Sequence, residues 1–252
     1  MISDNYYNVS QTKGKNFVEV RVFSRMKPKG KMVIADHSHK DNSMINIDSR
    51  KRSNHRAKKT IIDLFNNNFY NKNCYFITLT FRDNIDDVEL ANKIFKSFIR
   101  KMRIHSKSQF KYISVIEFQK RGAIHYHMIT DNEELNYSNV IKYWNNSINS
   151  HLLVKDGYVR IEKIHKHENS KVLSYVMKYV SKALGNEKLL GKKCYFSSRN
   201  LYRSKKHNAL IENAINLDIL KKLNINGKII KKSYYNDSYN GQKIEYFLIN
   251  IN

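Results

Sequence analysis

The segment Gly122-Ala123-Ile124-His125-Tyr126-His127-Met128-Ile129 decides how the rest of this chain is read. Side chains of an extended strand alternate between its two faces. Ile124, Tyr126 and Met128 therefore point one way, toward a core, while His125 and His127 point the other way, side by side. Two imidazoles so placed can chelate one metal ion. The same spacing also describes two exposed histidines on a half-buried strand, and by itself it leaves both readings open. Just upstream, Phe110 through Phe118 reads as a strand and Gln119-Lys120-Arg121-Gly122 as a turn, so the two strands are expected to pair as a hairpin.

Working outward, Cys74-Tyr75-Phe76-Ile77-Thr78-Leu79-Thr80-Phe81 is apolar and β-branched, as a central strand should be. Asp86 and Asp87 can cap a helix running to about residue 104, with Leu90, Ile94, Phe95, Phe98 and Met102 at helical spacing. Val140 through Ile148, which holds the only tryptophan, Trp144, reads as another helix. Tyr158 through Ile164 alternates as a strand, Ser170 to Leu184 reads as a helix closed by Gly185, and Cys194-Tyr195-Phe196 is a brief strand.

The flanks are more polar. Residues 1–59 form a basic N-terminal segment with strand-like runs at Phe17–Phe23 and Met32–Ala35. Arg50-Lys51-Arg52 and Arg56-Ala57-Lys58-Lys59 lead into a helical segment, Thr60 to Phe65. This basic cluster is a solvated face or one that tracks a phosphate backbone. Residues 206–252 are lysine-rich and end in a hairpin, Ile229 to Ile251, around Asn240-Gly241. Between the flanks lies a core of residues 60–205. Mixed helices and strands, with adjacent strands antiparallel, give an α+β class with helices packed on a sheet. No internal repeat is present.

Composition narrows the function classes. Hydrophobic residues make up 41% of the 252, enough for a packed core. The two cysteines, Cys74 and Cys194, have no CxxC spacing, so neither a disulfide framework nor a zinc knuckle is expected. Forty-six Lys and Arg against 22 Asp and Glu give a net charge of +24, which favours a polyanionic partner, nucleic acid first. A bias toward Lys, Asn, Ile and Tyr contributes to that charge. The chain lacks a long apolar run and a signal peptide, so the expectation is a cytoplasmic protein with no membrane partner.

The helix at 170–184 contains Tyr175-Val176-Met177-Lys178-Tyr179-Val180-Ser181-Lys182, a YxxKYxxK pattern. At ~100° per residue, Tyr175, Lys178, Tyr179 and Lys182 share one face, and Val172, Leu173, Val176, Met177, Val180, Ala183 and Leu184 lie on the other. Such a stripe also occurs on plain exposed faces. Phosphodiester attack gives phenols a reason to sit beside cations. A free phenol ionises near pH ~10, and a neighbouring ammonium or metal stabilises the phenolate or the phosphate charge it meets.

Taken in order, Phe76-Ile77-Thr78-Leu79-Thr80-Phe81, His125-Tyr126-His127 and Tyr175 to Lys182 resemble the HUH endonuclease superfamily. They are most similar to its two-tyrosine rolling-circle replication initiators of single-stranded DNA phages and related plasmids. The resemblance covers about residues 60–205 and includes Tyr195-Phe196-Ser197-Ser198-Arg199. It implies a central antiparallel sheet with the histidine strand in its middle and the tyrosine helix across the metal face. It also implies a metal site of His125 and His127 completed by a polar residue from a neighbouring strand. Glu117 is the candidate for that residue, and Gln119, on the same strand parity, is its substitute. A carboxylate suits Mg²⁺ or Mn²⁺. Tyr175 and Tyr179 correspond to the nucleophiles, with Lys178 and Lys182 orienting phosphate.

The implied activity is metal-dependent nicking and joining of one DNA strand through a 5′-phosphotyrosine. The partners it implies are single-stranded or origin DNA, with a host polymerase and helicase. The same chemistry serves transposases and mobilisation relaxases, and a non-catalytic nucleic-acid binder would also use the charge and the tyrosines. Two decoys are set aside. His165-Lys166-His167 has a charged middle residue and no core face, which makes it a surface pair. Gly185 to Lys192 has five residues between its glycines and Lys193 where a phosphate loop requires Ser or Thr, so no fused helicase domain is expected.

Overall fold

The computed structural model describes residues 5–30, 42–106, 109–132, 135–152, 156–166, 169–189, 192–214, 218–237 and 241–251. Within these, the side chains of residues 42–51, 169–172, 175 and 183–185 are outside the description. In chain order the first elements are β1 (Tyr6–Lys13), β2 (Phe17–Pro28), α1 (Asn42–Asn68), β3 (Cys74–Thr80), α2 (Val88–Ile104), β4 (Tyr112–Phe118) and β5 (Ile124–Thr130). There follow α3 (Tyr137–Asn149), β6 (Tyr158–Ile164), α4 (Asn169–Gly185), β7 (Tyr195–Ser197), β8 (Lys205–Ala209), α5 (Ile219–Lys222), β9 (Lys228–Asn236) and β10 (Lys243–Asn250). The class is α+β. Two compact units are formed, one from Asn46–Leu201 and one from Met1–Ile45 with Tyr202–Asn252.

The first unit is built on an antiparallel sheet in the order β6-β3-β5-β4-β7, which puts the histidine strand in the middle. Ile124, Tyr126 and Met128 face α2 and α3. The Tyr126 ring stacks on Phe95 of α2 at 4.3 Å, and its hydroxyl donates to Asn92 Oδ1 at 2.8 Å. Trp144 of α3 packs against Phe81 at 4.9 Å and donates its indole N–H to the Thr80 carbonyl at 3.1 Å. Burying rings of this size contributes about 2–3 kcal/mol each. Helix α2 starts where expected, because the Asp87 carboxylate accepts from the Glu89 and Leu90 amides. The hairpin turn closes through Gly122 at φ +90°, a conformation that favours glycine.

The opposite face of β5 is also covered. Phe76, Ile113, Val115 and Ile129 flank the histidines in register, and Val176 and Val180 of α4 are buried with them. His125 and His127 are therefore buried, at 8% and 5% exposure, which removes the reading of an exposed pair.

The second unit joins the two ends of the chain in an antiparallel sheet ordered β8-β1-β2-β10-β9. Val9, Val18, Val20, Val22, Phe247 and Ile249 form its core with Ile211, Ala214 and Ile219. The expected hairpin at 229–251 is β9 and β10, with Gly241 at φ +64°; Asn240 and the run Met32–Ala35 are outside the described residues. Helix α1 begins at Asn42 instead of Thr60, so the basic cluster lies within the helix and does not precede it. Strands β1 and β8 and the short α5 have no counterpart in the sequence reading.

Candidate active site

Strand pairing assembles the site. The antiparallel register sets Glu117 of β4 opposite His125 and Thr78 of β3 opposite His127. Glu117, His125 and His127 each offer a ligand atom, and these atoms lie within 4.8 Å of one another. Glu117 Oε2 is 2.7 Å from His127 Nε2, and Glu117 Oε1 accepts from Lys182 Nζ at 2.6 Å. Thr78 Oγ1 is 3.1 Å from His127 Nδ1. A hydroxyl can donate or accept there, so it supports either tautomer.

The charge states follow from burial. Desolvation, helped by His127 and Arg121 and opposed by Glu117, pushes the His125 imidazole down to about 4. Burial likewise lowers His127, against the pull of the Glu117 carboxylate. For Glu117, burial works upward, but hydrogen bonds from Lys182 and His127 outweigh it and hold the carboxyl below its ordinary value. At neutral pH the site thus carries two neutral imidazoles and one carboxylate.

His125 Nε2 is buried with no hydrogen-bond partner. An orphaned buried nitrogen is costly unless something binds it. Two imidazole nitrogens and a carboxylate oxygen form a donor set that fits a divalent cation, so these three residues can hold one.

Helix α4 brings the aromatic partner. The Tyr179 ring stacks on the His127 ring at 3.7 Å between centroids, with Phe76 stacked on both at 6.3 and 5.6 Å. Tyr179 is thus buried against the sheet. The helix also directs Lys182 to Glu117 and leaves Lys178 exposed. Tyr175 lies one turn earlier on α4; its side chain is outside the described residues. A cavity of about 1060 Å³ opens beside the histidines, lined by Glu117, Gln119, Arg121, His125, Ser181 and Lys182. Gln119 accepts from Arg121 Nε at 2.9 Å there.

Thr78, Phe76 and Arg121 are site residues that the spacing of the motifs did not single out. Thr78 and Phe76 gain their places only from the pairing of β3 with β5. Of the decoy pair, His165 is exposed and His167 is outside the described residues.

Comparison with known proteins agrees with this geometry in extent. The phasyl DNA replicon protein arp of Escherichia coli is 44% identical over 57 residues, which is 23% of this chain and only 19% of that protein. No solved structure matches. Residues 74–184, the stretch from β3 through most of α4, match the family model of the replication-associated protein ORF2, and in that stretch the chain is similar to replication-associated proteins.

Proposed function

We propose that this protein is a rolling-circle replication initiator that nicks and rejoins one DNA strand at a specific site. The observation that carries the reading is the meeting of three metal-competent donors with the ring of Tyr179, 3.7 Å from one of them. The similarity of residues 74–184 to replication-associated proteins and the net charge of +24 support it. Glu117, His125 and His127 would hold a divalent ion, Mg²⁺ or Mn²⁺, which when bound polarises the scissile phosphate.

The protein's own groups do the rest. The Tyr179 hydroxyl attacks phosphorus, so a tyrosyl O–P bond forms and the P–O3′ bond breaks. The phenol proton is lost and the departing 3′-oxygen takes one up, which leaves a 5′-phosphotyrosine and a free 3′-hydroxyl that primes synthesis. One phosphodiester replaces another, so rejoining by the second phenol, Tyr175, needs no nucleotide cofactor. Lys182, anchored on Glu117, and Lys178 orient phosphate oxygens and offset phenolate charge. Arg121 and Lys120 at the cavity make its mouth attractive to a strand backbone.

The test incubates the full chain with single-stranded origin oligonucleotide and Mn²⁺, followed by a denaturing gel. The expected product is a slowed, protease-sensitive band, lost with EDTA and in a Tyr175→Phe, Tyr179→Phe double variant. A double variant that still nicked and still formed the adduct would overturn the mechanism.

A further inference from the structure

The sheet of the unit formed by the chain ends has a second face, opposite its valine core. Register lays this face out in rungs. One rung runs Tyr235–Ile244–Phe23, with Tyr7 edge-on to Phe23 at 5.8 Å. The next runs Ser233–Tyr246–Arg21–Ser10–Asn208, and the third Lys231–Leu248–Glu19–Thr12–Lys206. Rings and cations therefore alternate across a single surface.

They are also in contact. Lys27 Nζ sits 4.3 Å from the Phe23 centroid, the Arg21 guanidinium 5.5 Å from Tyr246, and Lys206 Nζ 5.9 Å from Tyr7. Arg21 pairs with Glu19 and Lys27 with Asp237, and the exposed Lys206 and Lys231 leave the face cationic. Tyr235 is 44% exposed at the rim. A ring beside a cation matches the two halves of a nucleotide, a base to stack and a phosphate to pair. A duplex hides its base faces, and a flat sheet offers no helix to enter a groove, so the match is to an unpaired strand.

We propose that this face is a second nucleic-acid surface, separate from the histidine site, that binds single-stranded DNA. It rests on the replication reading only in the choice of DNA over RNA. Its function would be to hold a length of strand by stacking and backbone contact, without base readout.

The experiment titrates fluorescein-labelled oligo-dT into the full chain in EDTA, so that no nicking chemistry enters, and compares it with a Lys206→Ala, Lys231→Ala, Tyr235→Ala variant. These side chains are exposed, and an unchanged melting temperature checks the fold. The variant should bind about tenfold more weakly. Its slope of log affinity against log salt should be shallower by about 1.4, from two phosphate contacts at ~0.7 each. Ultraviolet crosslinking of bromodeoxyuridine oligonucleotide to the unmodified protein should label peptides within residues 5–30 or 202–251, which keeps the idea testable if the variant misfolds. Unchanged affinity with crosslinks confined to residues 46–201, equal binding of duplex, or tighter binding of oligo-U would overturn it. Loss of the tyrosyl adduct with oligo-dT binding intact would sink the nicking chemistry alone, and the reverse outcome this surface alone.

Discussion

His125 carries a cost in the metal-free protein that pH can read. Its imidazole is held at about 4 in the fold against 6.5 in an unfolded chain. The native state therefore binds fewer protons between those values, and stability falls as pH drops through that window. From this group alone the loss should be about 2 kcal/mol at pH 5 relative to pH 7.5. Glu117, held below its ordinary value, adds to the fall at lower pH, because its stabilisation is present only while it stays ionised. Urea midpoints in EDTA at the two pH values check this, and His125→Phe, which cannot take up a proton, should flatten the profile. Mn²⁺ at pH 7.5 should raise the melting temperature of the unmodified protein and leave a Glu117→Gln, His125→Ala variant unmoved. A shift of equal size in both would remove the metal assignment. Among the site residues, the histidine pair and Glu117 were legible from strand parity and the hairpin, because alternation fixes which side chains share a face. Thr78 was not, since its place opposite His127 depends on which distant strand pairs with β5. Nor was the burial of Tyr179 legible, since periodicity groups the residues of a face but does not say what that face meets.

Elements with a one-sided apolar pattern could be read from the sequence, and those held by long-range pairing could not. Helix α2 has buried residues at Val88, Ala91, Ile94, Phe95, Phe98, Ile99 and Met102, a repeat that any window of the sequence displays. Helix α1 was legible only in its second half, where Ile61, Leu64 and Phe65 are buried, because the residues before it carry no apolar period. Strand β8, Lys-Lys-His-Asn-Ala, is polar throughout and exists because β1, nearly the whole chain away, offers it an edge. The strand–helix contact at β3 and α3 supplies a test at this scale. Any Cβ added at Gly157 would collide with the Thr80 carbonyl and the Trp144 indole. Gly157→Ala should therefore cost about 1–3 kcal/mol in urea denaturation, and Trp144→Ala about 3–5. A neutral Gly157→Ala would mean that β6 and α3 do not approach as described.

At the scale of the whole chain, the histidine site and its helix both lie within Asn46–Leu201. A chain of residues 46–201 should fold and keep the Mn²⁺-dependent rise in melting temperature, measured by circular dichroism, while losing oligo-dT affinity. A fragment that folds but shows no metal response would move part of the site elsewhere. Among the described residues no helix is long and apolar enough to cross a membrane. The replication reading draws on residues 74–184, and the sheet made by the chain ends lies outside that match.

That sheet also sets a schedule for synthesis. Strand β2 pairs with β1 as soon as both are made, but its other edge waits for β10, whose residues 243–250 come more than two hundred positions later. At ~5–20 residues per second the delay is roughly 10–45 s, during which an unpaired edge bearing Val18, Val20 and Val22 is open to other chains. The unit of residues 46–201, all encoded in between, can fold within that interval. Slowing translation should therefore favour aggregation through the first strands before it harms the histidine site.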